Sequence, residues 1–189
     1  METKIRCAWC EKDDLYRDYH DNEWGNPVYD DDTLFEFLVL ETFQAGLSWY
    51  TILKKRDHFR KAFDQFDYKK VALYNEAKVQ ELMQNEGIIR NQLKIRGTIS
   101  NAVAFMKVQE EFGSFSKYIW GFVNHKPIVN NLKSMSEIKA TTEISDVLSK
   151  DLKKRGFKFV GSTVVYAHMQ ATGMVDDHVA NCWKRTATA

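Results

Sequence analysis

Along most of this chain apolar residues recur at spacings of three and four, with polar, cap-forming residues between the runs. Only two prolines, Pro27 and Pro127, interrupt the pattern, so it predicts an almost wholly helical protein. Asp31 and Asp32 open a run from Thr33 to Ala45 that stops at Gly46, and Ser48 caps a second from Trp49 to about Phe63. Asp67 and Asn75 cap two short helices, the second passing through Val79 and Leu82 to a stop near Gly87. Asn91 begins a long amphipathic helix through Ile95, Ile99, Val103 and Met106. Further helices are expected over Phe115 to Val123, Ile144 to Lys154 and Ser162 to Thr172, although the run FKFVGSTVVYA is β-branched enough to suit a strand. There is no internal repeat, low-complexity tract or linker.

The helix from Thr33 to Ala45 is apolar nearly all round and therefore belongs in the interior. Glu41 follows Leu34 by seven residues and Leu38 by three, so its carboxylate projects from the same face as those leucines. Burying an ionised carboxylate without partners is costly, so Glu41 is expected to line a pocket, hold a proton or accept strong hydrogen bonds. Trp9, Tyr16, Tyr19 and Trp24 cluster in the sequence before it, and Trp49 follows just after. Such rings usually fill a core. Gathered around a buried acid they also form a slot for a flat heteroaromatic ring such as a nucleobase. Between the helices ending near Glu86 and beginning near Asn91, the stretch Gly87, Ile88, Ile89, Arg90 reads as a helix-hairpin-helix turn. Gly87 would supply a left-handed turn, the exposed helix N-terminus an anion site, and Arg90 and Lys94 added charge. A plain helical hairpin has the same appearance.

A net charge of +1 makes the chain no polycation, so any nucleic acid must be met through local patches such as Lys54, Lys55 and Arg56, or Lys150, Lys153, Lys154 and Arg155. No apolar run reaches membrane-spanning length and the N-terminal stretch lacks an apolar core, which predicts a cytoplasmic protein without membrane attachment. Three cysteines without an export signal point to thiols or metal ligands rather than disulfides. Cys7 and His20 near the start, with His178 and Cys182 near the end, supply four ligands for one closed zinc site. The last two would share one helix face. Spacing alone leaves Cys10 as an alternative to His20 and does not establish that the two ends meet.

The segments AWC, LYRDYHDNEWG, LFEFLVLETFQAGLSW, LKKR, EGIIRNQLKI, FVNH, LSKDLKKRGFKFVGST and DDHVANC together resemble the bacterial 3-methyladenine DNA glycosylase I family over nearly the whole chain. The resemblance implies an all-α fold of the helix-hairpin-helix superfamily, as a single catalytic unit over residues 1–189. In it, about residues 33–125 form the helix-hairpin-helix lobe, and residues 1–32 with 126–189 a zinc-containing lobe. It selects Cys7, His20, His178 and Cys182 as ligands of one structural zinc. It implies flipping and hydrolytic release of N3-methyladenine from alkylated double-stranded DNA by a monomer, without strand cleavage. Glu41 matches the family's catalytic and base-reading acid, Tyr19 and Trp49 its pocket residues, and Trp9, Tyr16 and Trp24 the pocket wall. Gly46 and Leu47 are expected to fill the gap left by the flipped base, with Gly87, Arg90 and Lys94 on DNA. Two departures stand out: EGIIRN lacks a glycine-rich hairpin turn, and the basic end WKRTATA reads as a frayed tail.

Overall fold

The computed structural model describes residues 4–185. Among these, nine α-helices follow one another: α1 (Asp14–Asn22), α2 (Asp31–Gln44), α3 (Trp49–Ala62), α4 (Tyr68–Val71), α5 (Glu76–Gln84), α6 (Gln92–Phe112), α7 (Phe115–Gly121), α8 (Glu143–Lys154) and α9 (Ser162–Ala171). The expected caps form: Ser48, Asp67, Asn75 and Asn91 each accept a backbone N–H from the turn they open. At α2 the cap is Asp30, which leaves Asp31 free to reach across the fold. Its carboxylate accepts the Phe115 and Ser116 N–H groups at 2.9 and 2.8 Å and so caps α7. Helix α1 was not anticipated, because its buried residues, Tyr19 and His20, are not an aliphatic stripe.

The FKFVGSTVVYA run resolves into an irregular stretch followed by α9, so tertiary packing overrides its β-branched bias. Among the described residues, a short parallel pair of strands departs from the wholly helical reading. Strand β1 (Ile128–Val129) pairs with β2 (Val175–Asp176), and a Leu132–Val179 bridge continues the pairing. These ladder bonds fix the segment after α9 against the one after α7. They direct His178 and Cys182 back toward the N-terminal segment.

Helix α2 is buried from Leu34 to Phe43 except at the half-buried Glu36, as its nearly all-round apolar pattern requires. Around it lie the fully buried Phe35, Phe43, Phe59, Phe63, Phe66, Phe105 and Phe115. Each of these rings stabilises the fold by roughly 1.5–3 kcal/mol through burial. A second, smaller cluster gathers Cys7, Tyr19, Trp24, Phe37, Leu53, Ala171, Val179 and Cys182, with Trp9, Tyr16 and Trp49 packed on it.

The hairpin between α5 and α6 departs from expectation in two ways. Gly87 is not in the left-handed region; its lack of a side chain serves close packing, since a Cβ there would meet the His58 Cβ at 2.9 Å. Lys94 points inward, only 8% exposed, and donates to the Phe43 and Ala45 carbonyls at 3.1 and 2.9 Å. It caps the C-terminus of α2 rather than offering charge at the surface. Ile88 is buried and Ile89 partly so, filling the angle as expected. Lys55 donates to the Glu86 and Gly87 carbonyls and Arg56 pairs with Glu23, so most of the first basic patch holds the fold together.

The basic end is also docked as far as it is described. The Trp183 N–H donates to the Ile5 carbonyl, and Lys184 to the Trp24 carbonyl at 3.1 Å. Residues 186–189 of the expected frayed tail lie outside the described residues. No helix among the described residues is long and apolar enough to cross a membrane.

Candidate active site

Between α1, α2, the start of α3 and α9 lies a cavity of about 210 Å³. Clefts for drug-sized ligands run to ~300–1,000 Å³, so this slot suits a single flat ring system. Trp9, Tyr16, Tyr19, Trp24 and Trp49 line it together with Glu41, so the structure brings all six sequence candidates to one place. The rings support one another: Trp9 meets Trp24 edge-on at 5.1 Å and Tyr16 at 4.8 Å, while Tyr19 lies 5.4 Å from Trp49.

Glu41 is 2% exposed, and its Oε2 lies 2.9 Å from Nδ1 of His168, itself buried on α9. Its other oxygen, Oε1, is buried without a hydrogen-bond partner, as is the Trp49 indole N–H. Two unsatisfied polar atoms on residues lining one slot mark a place where a ligand completes the bonding. Burial pushes the Glu41 carboxyl above the ordinary glutamate value, and His168 partly opposes that shift. Burial, and then Glu41, hold the Tyr19 hydroxyl well above its usual value, so it stays neutral.

Sequence reasoning missed Gln44, Met135, Ile138 and Gln170, which also line the slot, and His168 behind it. His168 stands three residues after the buried Val165 on the inner face of α9, the same signal that singled out Glu41 among leucines. Met135 and Ile138 come from the loop after β1, and no local pattern announces them.

Beside the slot a second cavity of about 330 Å³ shares Glu41, Gln44 and Ala167 with it and is bordered by Gly46 and Leu47. Leu47 is 41% exposed, on a turn that Gly46 makes with φ 86°. Arg90 is exposed at the hairpin and loosely paired with Glu86 at 3.9 Å.

On the far side of Trp24, Cys7, His20 and Cys182 place their ligand atoms within 4.8 Å of one another. His178 belongs to no helix, contrary to the one-face argument; the segment after β2 delivers it outside any regular element, and Cys182 after a turn. His178 stands edge-on to His20, with ring centroids 5.1 Å apart, and its Nε2 is buried without a partner. Asp21 and Asp176 each hold an Nδ1 of these imidazoles at 2.8 Å, as second-sphere carboxylates orient ligating histidines. The hydrogen bond from Cys7 draws the Cys182 thiol below the ordinary cysteine value. Cys10 is engaged elsewhere, its thiol donating to the Cys7 carbonyl at 3.1 Å. Two thiols, two imidazoles and an orphaned ring nitrogen suit a tetrahedral thiophilic ion.

Fold and slot thus define a mostly helical protein with an aromatic-walled slot, of a size for one flat heteroaromatic ring, closed on one side by a buried acid. The profile of the methyladenine glycosylase family matches residues 9–185, and the chain belongs to that family; it is an enzyme, a glycosylase. It is 51% identical over 177 residues to DNA-3-methyladenine glycosylase 1 of Escherichia coli, covering 94% of this chain and 95% of that one. It is 48% identical over 182 residues to the DNA-3-methyladenine glycosylase of Haemophilus influenzae, covering 96% and 98%. Among solved structures, a crystal structure of 3-methyladenine DNA glycosylase I superposes with a TM-score of 0.94 at 47% identity, covering 96% of this chain and all of the other. The Staphylococcus aureus enzyme, solved to define 3-methyladenine recognition, superposes with a TM-score of 0.93 at 37% identity, covering 97% and 98%.

Proposed function

We propose that this enzyme excises N3-methyladenine from alkylated double-stranded DNA by hydrolysis, as a monofunctional glycosylase without strand-cleaving activity. The observation that carries the reading is the unpartnered Oε1 of Glu41 in an aromatic slot sized for one base. Methylation at N3 gives the adenine of DNA a formal positive charge and weakens its glycosidic bond. A slot need not protonate such a leaving group. It needs to take the ring out of the stack, hold its faces and place negative charge beside it. The walls formed by Tyr16, Tyr19, Trp9, Trp24 and Trp49 supply the faces, with an attraction for an electron-poor ring. Glu41 supplies the charge and accepts from the base edge.

Gly46 and Leu47, exposed at the border of the cavity beside the slot, are the wedge that enters the duplex as the base leaves. Arg90 and the backbone around Gly87 at the hairpin remain the contact to the DNA strand, and Lys94 contributes there only by shaping the end of α2. Cys7, His20, His178 and Cys182 hold one structural zinc that fastens the chain's two ends behind the slot. Four filled positions leave the ion no room for water or substrate, so it supplies stability and no chemistry. The division into a helix-hairpin-helix lobe and a zinc-containing lobe, and action as a monomer, belong to the same reading.

The test is chromatography of free bases released from methylated duplex DNA by the purified protein. Release of 3-methyladenine with intact strands is expected. Strand nicking that tracks base release would refute the monofunctional part, and no release the whole.

A further inference from the structure

We propose that Gln170 selects the exocyclic group of the bound base, through a side-chain amide whose orientation Asp177 fixes. The proposal rests on the base-slot reading above and adds to it a second fixed acceptor. Gln170, half-buried on α9, lines the slot. Its Nε2 donates to Oδ2 of Asp177 at 2.7 Å. Asp177 is 1% exposed and is held by two more donors: the Tyr166 hydroxyl at 2.7 Å and the Asn130 amide nitrogen at 2.6 Å. A carboxylate only accepts, so Gln170 must turn its NH₂ toward Asp177. The other end of the amide, Oε1, is then an acceptor that cannot exchange places with the NH₂ without setting two acceptor oxygens against each other at Asp177.

Gln44 also lines the slot, but no side-chain hydrogen bond holds its amide among the described residues, so it adapts to either edge. Glu41 Oε1 and Gln170 Oε1 are thus two acceptors of fixed polarity, beside the donor N–H groups of the lining indoles, of which that of Trp49 is buried without a partner. Adenine carries at C6 an amine with two N–H donors, whereas guanine carries there an acceptor oxygen. Two acceptors satisfy the amine. Against a guanine oxygen they leave acceptors facing each other without protons, which weakens binding of that base. Discrimination against methylated guanine then comes from acceptors set in advance and from no steric block.

The experiment measures affinities for free 3-methyladenine and free 3-methylguanine by quenching of tryptophan fluorescence. It compares the parent with Gln170→Leu and Asp177→Asn, with melting temperature and zinc content checked for each. The parent should prefer 3-methyladenine. In Gln170→Leu that preference should shrink by about tenfold, with affinity for 3-methylguanine unchanged or improved. Asp177→Asn should shrink it in the same direction by releasing the amide. Equal loss for both bases in Gln170→Leu, or no change in either, would overturn the proposal by reducing Gln170 to a wall. A shift in Gln170→Leu without one in folded, zinc-loaded Asp177→Asn would overturn the anchoring role of Asp177. A parent that binds neither base would sink the base-slot reading itself, and this inference with it.

Discussion

Replacing Lys94 with methionine separates two roles that a lysine at the start of α6 could serve. The ammonium makes hydrogen bonds of 3.1 and 2.9 Å to the Phe43 and Ala45 carbonyls, at the end of the helix that carries Glu41. Hydrogen bonds to a charged group contribute roughly 1.5–3 kcal/mol each, and burying the ammonium cancels part of that. The same burial pulls the Lys94 pKa below the ordinary lysine value. Methionine restores the stem's packing and removes the burial cost, but leaves both carbonyls unpaired. The net loss is about 2 kcal/mol, which for a chain of this size lowers Tm by roughly 4–8 °C. Differential scanning calorimetry measures that fall. Equilibrium binding to duplex DNA across a salt series measures the other role. Neutralising one phosphate contact reduces the log–log salt slope by about 0.9. A lowered Tm with an unchanged slope is expected; an unchanged Tm with a slope reduced by one contact would refute the inward role of Lys94.

Further expectations follow from the same geometry. Because burial raises the folded pKa of Glu41, that group's own contribution to stability is greatest below the ordinary glutamate value and declines as pH rises through the raised one. Glu41→Gln should therefore have a Tm at pH 7 equal to or above the parent's, with the difference vanishing toward pH 4. A variant less stable than the parent at pH 7 by calorimetry would contradict this. Cys182→Ser should lower Tm by at least about 10 °C, reduce bound zinc by elemental analysis, and raise hydrogen exchange at both ends of the described chain together. Full zinc with unchanged exchange would exclude the clasp. Gly25→Ala would set a Cβ 2.6 Å from Cε1 of His178, at a backbone φ of 78°, and should cost zinc affinity without touching the slot. Metal titration against a chelator reads that loss. Leu47→Ala, at a residue 41% exposed, should change stability by less than about 0.5 kcal/mol while slowing excision from duplex DNA. Equal rates for both proteins would remove the wedge.

Much of this organisation was legible before any coordinates. The caps at Ser48, Asp67, Asn75 and Asn91 formed as read, because a short polar side chain before an apolar run acts locally. Glu41 stood out because an acid on an all-apolar helix needs an explanation, and the slot gives one. What escaped depends on long-range partners. Lys94 looks like any surface lysine until α2 ends beside it, and the 3.6-residue period says nothing of a neighbouring helix's unpaired carbonyls. His178 and Cys182 met the rule for a shared helix face, yet their backbone answers to the Leu132–Val179 bridge, formed across more than forty residues of chain. Gln170 and Asp177 matter only as a pair, one on α9 and the other beyond β2, and either alone is an ordinary polar residue.

The most direct test of the central claim is release of free bases from methylated duplex DNA by the parent beside Glu41→Ala and Trp49→Ala. The account predicts 3-methyladenine from the parent and much less from both variants, each still folded. Undiminished release by folded Glu41→Ala, or none from a folded, zinc-loaded parent that binds the DNA, would contradict it.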